Sequence, residues 1–220
     1  MVSTLADVLE RFNRKERNLL IRDALGHKNA PLRLGADFRR RVAEKLDITS
    51  GIPEVAWWAT DYHIGWLAGA LTLYMKGETA LNKPQPNELL EGRRLVEGNQ
   101  EDIDLLIAWD DELVMIEAKA YGAFGNAQIA SKLARLDLLH KHYLSLHSDN
   151  ARPVRFHLLL TSPRPPQKLA AAWPSWGCRG TGVPWIPLEM EASLPVLTVT
   201  RCNLSGKSSA GGDHWKTSQH

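Results

Sequence analysis

Residues 103–120, Ile-Asp-Leu-Leu-Ile-Ala-Trp-Asp-Asp-Glu-Leu-Val-Met-Ile-Glu-Ala-Lys-Ala, constrain the fold more than any other stretch. They read as two short apolar strands joined by an acidic turn. Strand alternation puts Leu113, Met115, Glu117 and Lys119 on one face and Val114, Ile116, Ala118 and Ala120 on the other. Both faces begin apolar, and a strand apolar on both faces belongs inside a layered fold. Glu117 and Lys119 therefore emerge from a face that starts as core, where burial without partners costs on the order of several kcal/mol each.

The turn fixes what the charges meet. A two- or four-residue loop centred between Asp110 and Asp111 pairs Trp109 with Glu112, and so Asp104 with Glu117. A three-residue loop shifts the register by one. Directly opposed side chains lie roughly 5 Å apart at Cβ, so two carboxylates there repel and need a cation. Lys119 is one candidate. A divalent ion is the better one, because paired oxygen ligands suit Mg²⁺ or Mn²⁺, which keep positions for water and phosphate. Asp102 lies two residues before Asp104 and reads either as an outer ligand of a second ion or as a solvated strand entry.

Asp104, twelve intervening residues, then Glu117-Ala118-Lys119 resembles the PD-(D/E)xK signature of the restriction-endonuclease-like nuclease superfamily. The resemblance covers roughly residues 85 to 162, and Ile103 stands where the signature's leading proline would be. It implies metal-dependent phosphodiester hydrolysis. Asp104, Glu117 and the Ala118 carbonyl would hold Mg²⁺ or Mn²⁺, and Lys119 would orient the attacking water. It also implies a further acidic ligand from a helix preceding the sheet, for which Glu54, Asp61 and Glu78 are all available. Polar residues on the helix after Glu-x-Lys often face substrate in such nucleases, and Gln128, Lys132 and Arg135 resemble that feature. Asn126 would cap this helix, which runs to about His147 on the apolar spacing of Ile129, Leu133, Leu136 and Tyr143.

Net charge is only +2 but unevenly spread. Residues 1–46 carry 11 Lys/Arg against 6 Asp/Glu, residues 47–118 carry 4 against 14, and residues 119–220 carry 12 against 5, giving +5, −10 and +7. Basic flanks around an acidic centre suit an enzyme that binds ions and backbone phosphates, although solvated helix faces account for the same arginines. The arginines concerned lie on a helix over 3–25, capped by Ser3 or Thr4 and stopped at Gly26, and on a second helix over 36–46 that carries Arg39, Arg40 and Arg41.

Residues 53–76 read as one buried helix holding Trp57, Trp58, Tyr62 and Trp66, opened by Pro53 and closed by Gly77. His63 on it reads as a core histidine, and His140, His142 and His147 make no persuasive metal set. A first strand is expected over 88–96, a fourth over 154–161, a short helix near 167–173, and strands near 183–188 and 196–201 that complete the sheet. From Ser205 the chain reads as a disordered tail.

These readings give an α/β three-layer fold with a mixed central sheet: a helical N-terminal extension over 1–50, a nuclease-like core over 51–204 and a tail over 205–220. The expected partner is nucleic acid, DNA before RNA, with a homodimer left open and no membrane, since no run of roughly eighteen apolar residues occurs. The N-terminus lacks a signal peptide's apolar run, which points to the cytoplasm. Cys178 and Cys202 read as ordinary thiols. The rival readings are a non-catalytic nucleic-acid-binding or assembly module on the same scaffold, and a structural ion cluster in an unrelated α/β protein.

Overall fold

The computed structural model describes residues 4–219 apart from 88, 91–92, 98–100, 121–123, 125–126, 147–152, 168, 170–172, 180–181 and 190–196. Residues 1–188 form one compact unit and 189–220 a second.

The first unit is built on a five-stranded mixed sheet. Its strands are β1 (Trp57–His63), β4 (Asp102–Trp109), β5 (Glu112–Ala118), β6 (Arg155–Ser162) and β7 (Trp185–Pro187), in the order β1-β4-β5-β6-β7. The β1/β4 and β4/β5 pairs are antiparallel, whereas β5/β6 and β6/β7 are parallel. A parallel step needs a crossover, and α5 (Ala127–Ser145) supplies it between β5 and β6. Over 88–96, where a first strand interrupted at Gly92-Arg93-Arg94 is expected, β2 (Leu89–Leu90) and β3 (Arg93–Arg94) form a small ribbon of their own outside the main sheet.

Each sheet face buries its own core. Leu106, Ala108, Leu113, Met115, Leu158 and Leu160 pack with α1 (Leu5–Phe12), α4 (Ile64–Lys76) and α5, while Ile107, Val114, Ile116 and Leu159 pack with α3 (Ala36–Lys45) and Ile48–Ile52. This is a three-layer α/β arrangement. The N-terminal segment is no mere extension, because Leu5, Val8 and Leu9 enter one core and Val42 and Leu46 the other. Thr4 caps α1 in a reciprocal box with Asp7, and the expected 3–25 helix breaks at Asn13–Lys15 before resuming as α2 (Glu16–Ala24). α2 lies along β1, where Asn18 Oδ1 accepts the Thr60 N–H at 3.1 Å.

The 53–76 helix is corrected to strand β1 followed directly by α4. Trp57, Tyr62 and Trp66 are core residues as expected, but on two elements, with the Tyr62 hydroxyl donating to the Leu9 carbonyl at 2.9 Å. His63 ends the strand and caps the helix, its Nδ1 accepting the Gly65 N–H at 3.0 Å. Asp61 sits in the left-handed region at φ 52. A strand cannot keep strict alternation through such a residue. Ala59 and Tyr62, three apart, consequently join the same core, as do Leu106 and Ile103 across from them.

The second unit holds β8 (Leu197–Cys202) and β9 (His214–Gln219), an antiparallel ribbon of their own. The strand expected over 196–201 therefore does not extend the main sheet, and the expected tail contains β9. The helix expected over 167–173 lies largely outside the described residues; Leu169 makes a parallel bridge to Phe124 instead. Among the described residues no helix is long and apolar enough to cross a membrane.

Candidate active site

The β4–β5 hairpin has the register expected from its two-residue turn. Trp109 pairs with Glu112 and Leu105 with Ile116, so the next step along the hairpin sets Asp104 opposite Glu117. Asp110 takes φ 44, a value Asp tolerates better than most residues, and the turn closes without glycine. At the open end Asp104 acts as a substitute for the ladder: its Oδ2 accepts the Ala118 N–H at 2.7 Å.

Glu117 is 2% exposed. Its Oε2 accepts from Lys132 Nζ of α5 at 2.6 Å, and its Oε1 is buried with no hydrogen-bond partner among the described residues. Glu112, buried at the start of the same strand, shows what full satisfaction looks like. Arg155 Nε reaches its Oε1 at 2.8 Å and His157 Nε2 lies 2.6 Å from its Oε2. Burial pushes both carboxyls up, but for Glu112 the hydrogen bonds from Arg155 and His157 win and hold it below the ordinary value. For Glu117 burial wins and raises it to about 7; Lys132 opposes that shift, the Asp104 charge adds to it and Lys119 opposes it.

The half-satisfied Glu117 gives a pH prediction. Its folded-state value lies above the unfolded 4.5, so between about 4.5 and about 7 the folded chain keeps a proton that the unfolded chain has lost. Stability from this group is thus fully present below pH 4.5, falls as pH rises through about 7, and is flat above. The total is on the order of 3 kcal/mol. Urea unfolding in EDTA at several pH values should show this decline in wild type and not in Glu117→Gln.

Lys119 continues the strand, its backbone N–H donating to the Thr161 carbonyl at 2.9 Å, and its half-buried side chain has no ion-pair partner among the described residues. The side chain of Gln128 lies outside the described residues. Lys132 and Arg135 are not the solvent-facing substrate contacts expected of them. Lys132 is 8% exposed and paired with Glu117; Arg135 is 0% exposed, its Nη1 3.3 Å from Glu101 Oε2 and its Nη2 3.1 Å from the Leu95 carbonyl. Ser131 Oγ holds the other oxygen of Glu101 at 2.9 Å. The sequence held a usable signal: Lys132 is three residues from Ile129 and four from Leu136, and Arg135 is four from Leu139, which embeds both in the apolar stripe.

Of the other acidic candidates, Glu78 pairs with Arg11, Asp61 lies 3.7 Å from Arg17, and Glu54 is an exposed turn residue. Asp102 accepts from Lys15 Nζ at 2.6 Å, so its charge is already partnered. The arginines of α3 serve the fold: Arg39 donates to the Leu34 and Ile52 carbonyls, Arg40 pairs with Asp37 and Glu44, and Arg41 pairs with Asp37 and donates to the Pro187 carbonyl. His140 packs against Phe156 and Trp176, and His142 bonds Thr72.

A divalent ion suits the donor set at one point in particular. Glu117 Oε1 is a buried carboxyl oxygen that meets no donor among the described residues, near enough to Asp104 to feel its charge, and an oxygen-seeking cation would satisfy it. No cluster of three or more His, Cys, Asp and Glu side chains placed to hold a metal occurs among the described residues. Cavities of about 650 Å³ beside α3 and about 410 Å³ between α4 and Leu81–Asn87 involve neither carboxylate. Comparison with protein-family models, curated proteins and solved structures returns no match.

Proposed function

We propose that the chain is a metal-dependent phosphodiesterase with a restriction-endonuclease-like core, cleaving nucleic acid, DNA before RNA. The observation that carries this is Glu117, a buried carboxylate with one oxygen unsatisfied among the described residues, near enough to Asp104 to feel its charge and two residues before Lys119. Asp104, Glu117 and the Ala118 carbonyl would hold Mg²⁺ or Mn²⁺, which when bound polarises a phosphoryl oxygen and acidifies a water. Lys119 Nζ orients the attacking water and offsets the negative charge that builds on the phosphoryl oxygens in the transition state. Gln128 near the start of α5 is the residue proposed to meet the scissile phosphate.

Cleavage of linear, nicked, branched and single-stranded DNA with Mg²⁺ or Mn²⁺ tests the reading. Lys119→Ala should lower turnover about 10²- to 10³-fold with the fold intact. The Lys132–Glu117 contact at 2.6 Å favours a second reading, a closed structural ion cluster in a non-catalytic module. The two part on Mn²⁺ calorimetry: the phosphodiesterase binds the ion and loses it in Glu117→Gln, whereas the closed cluster binds none.

A further inference from the structure

Lys132 and a divalent ion compete for the same carboxylate. The lysine ammonium already lies 2.6 Å from Glu117 Oε2, inside a site where both side chains are nearly closed to solvent. An ion taken up by Glu117 Oε1 and Asp104 would lie close to that ammonium, and like charges in so dry a place repel strongly. One cation must leave. The lysine is the weaker competitor, since its single charge meets one carboxylate whereas a divalent ion carries twice that charge and can be shared by two, and its flexible four-carbon stem lets the ammonium swing away. Nothing comparable acts on Arg135, whose guanidinium is held by Glu101 and the Leu95 carbonyl.

We propose that Lys132 is a placeholder cation: it holds Glu117 until a divalent ion arrives, is displaced by that ion, and then offers its ammonium to the substrate phosphate. The proposal rests on the phosphodiesterase reading and adds an order of events to it. Glu117 keeps a counter-charge in the free protein, phosphate contact by Lys132 is withheld until the ion is in place, and α5 links the two. Lys132 is thus a positioning residue whose partner changes, and its burial and its role toward substrate are successive states of one side chain.

Three measurements test it. The first needs no variant: in ¹⁵N-lysine-labelled protein the Lys132 ammonium, assigned through its carbon chain, should give a slowly exchanging Nζ signal that shifts or vanishes on saturation with Mg²⁺. A signal unmoved by saturating Mg²⁺ overturns the placeholder. The second is the Mn²⁺ dissociation constant. Lys132→Met, and Lys132→Gln as a variant that keeps a neutral donor, should bind Mn²⁺ at least about tenfold tighter than wild type, because the competitor is gone. Unchanged or weaker binding by a variant that keeps wild-type circular dichroism overturns it. The third is DNA affinity against salt. With Ca²⁺ present Lys132→Met should lose about one phosphate contact's worth of salt dependence, and in EDTA it should match wild type. Loss of equal size in both conditions also overturns it. Failure of the parent reading looks different: wild type then shows no Mn²⁺ binding that Glu117→Gln removes.

Discussion

Replacing Asp104 or Glu117 with alanine is expected to abolish divalent-ion-dependent cleavage, by on the order of 10³-fold or more, since the ion's stabilisation of the transition state is worth several kcal/mol. The same substitutions should destabilise the ion-free protein. Two opposed carboxylates taken alone suggest the reverse, a gain from relieved repulsion. The structure changes the sign because each carboxylate has work in the fold. Asp104→Ala leaves the Ala118 N–H without its acceptor, at about 1–3 kcal/mol. Glu117→Ala leaves the Lys132 ammonium in a nearly closed site without a partner. Breaking a buried pair typically costs about 3–5 kcal/mol, but Glu117's own burial penalty disappears with it, so about 1–3 kcal/mol is expected here too. Urea unfolding in EDTA at pH 8 reads both values, and a stabilised Glu117→Ala would mean that the ion pair does not form in the free protein.

Arg135→Ala should have the largest effect on stability, about 3–5 kcal/mol, or a melting temperature lower by roughly 10 °C. The side chain is wholly enclosed, so truncation empties a large volume. It also strips a donor from the Leu95 carbonyl and a counter-charge from Glu101. Because that charge sits one element away from Glu117, Mn²⁺ affinity of the folded fraction should remain near wild type. Thermal melting together with Mn²⁺ titration separates the two, and an Arg135→Ala protein of normal stability with weakened DNA binding would return the residue to the substrate surface.

The sequence made the hairpin, α3, α5 and β6 legible, because in each the apolar period matches a single element over many residues, whereas the hairpin's register waited on the length of the Asp110–Asp111 turn. Residues 57–63 were opaque for a physical reason. Trp57-Trp58-Ala59-Thr60 and Ile64-Gly65-Trp66-Leu67 are apolar enough to suit either period, no loop separates β1 from α4, and histidine is an unusual helix cap. At the site, the pairing of Asp104 with Glu117 was conditional on an even turn, and the Trp109–Glu112 register of the structure supplies that parity. The partners of Glu117 and Arg135 could not. Lys132 meets Glu117 across fifteen residues and Arg135 meets Glu101 across thirty-four, contacts set by how α5 docks on the sheet. A charged residue in an apolar helical stripe signals that such a partner exists without saying where.

The Asn18–Thr60 contact has a consequence for the protein's behaviour at high concentration. A sheet of this kind ends in two strands with unpaired backbone groups, and such edges recruit strands from other molecules and seed aggregation. Here both ends are blunted by local means. On the β1 side Asn18 takes a backbone donor that a foreign strand would need, and left-handed Asp61 bends the strand away from a flat template. On the β7 side the strand is only three residues long and ends in Pro187, which has no N–H to offer and whose carbonyl is taken by Arg41. Helix α2 contributes little to the core, with Leu19, Leu20, Ile21 and Leu25 exposed, so its place in the molecule is better understood as a guard rail than as a foundation. Asn18→Ala, which leaves Leu5, Val8 and Leu9 of α1 in the core, should bare the Thr60 N–H at this edge and lower the protein's solubility.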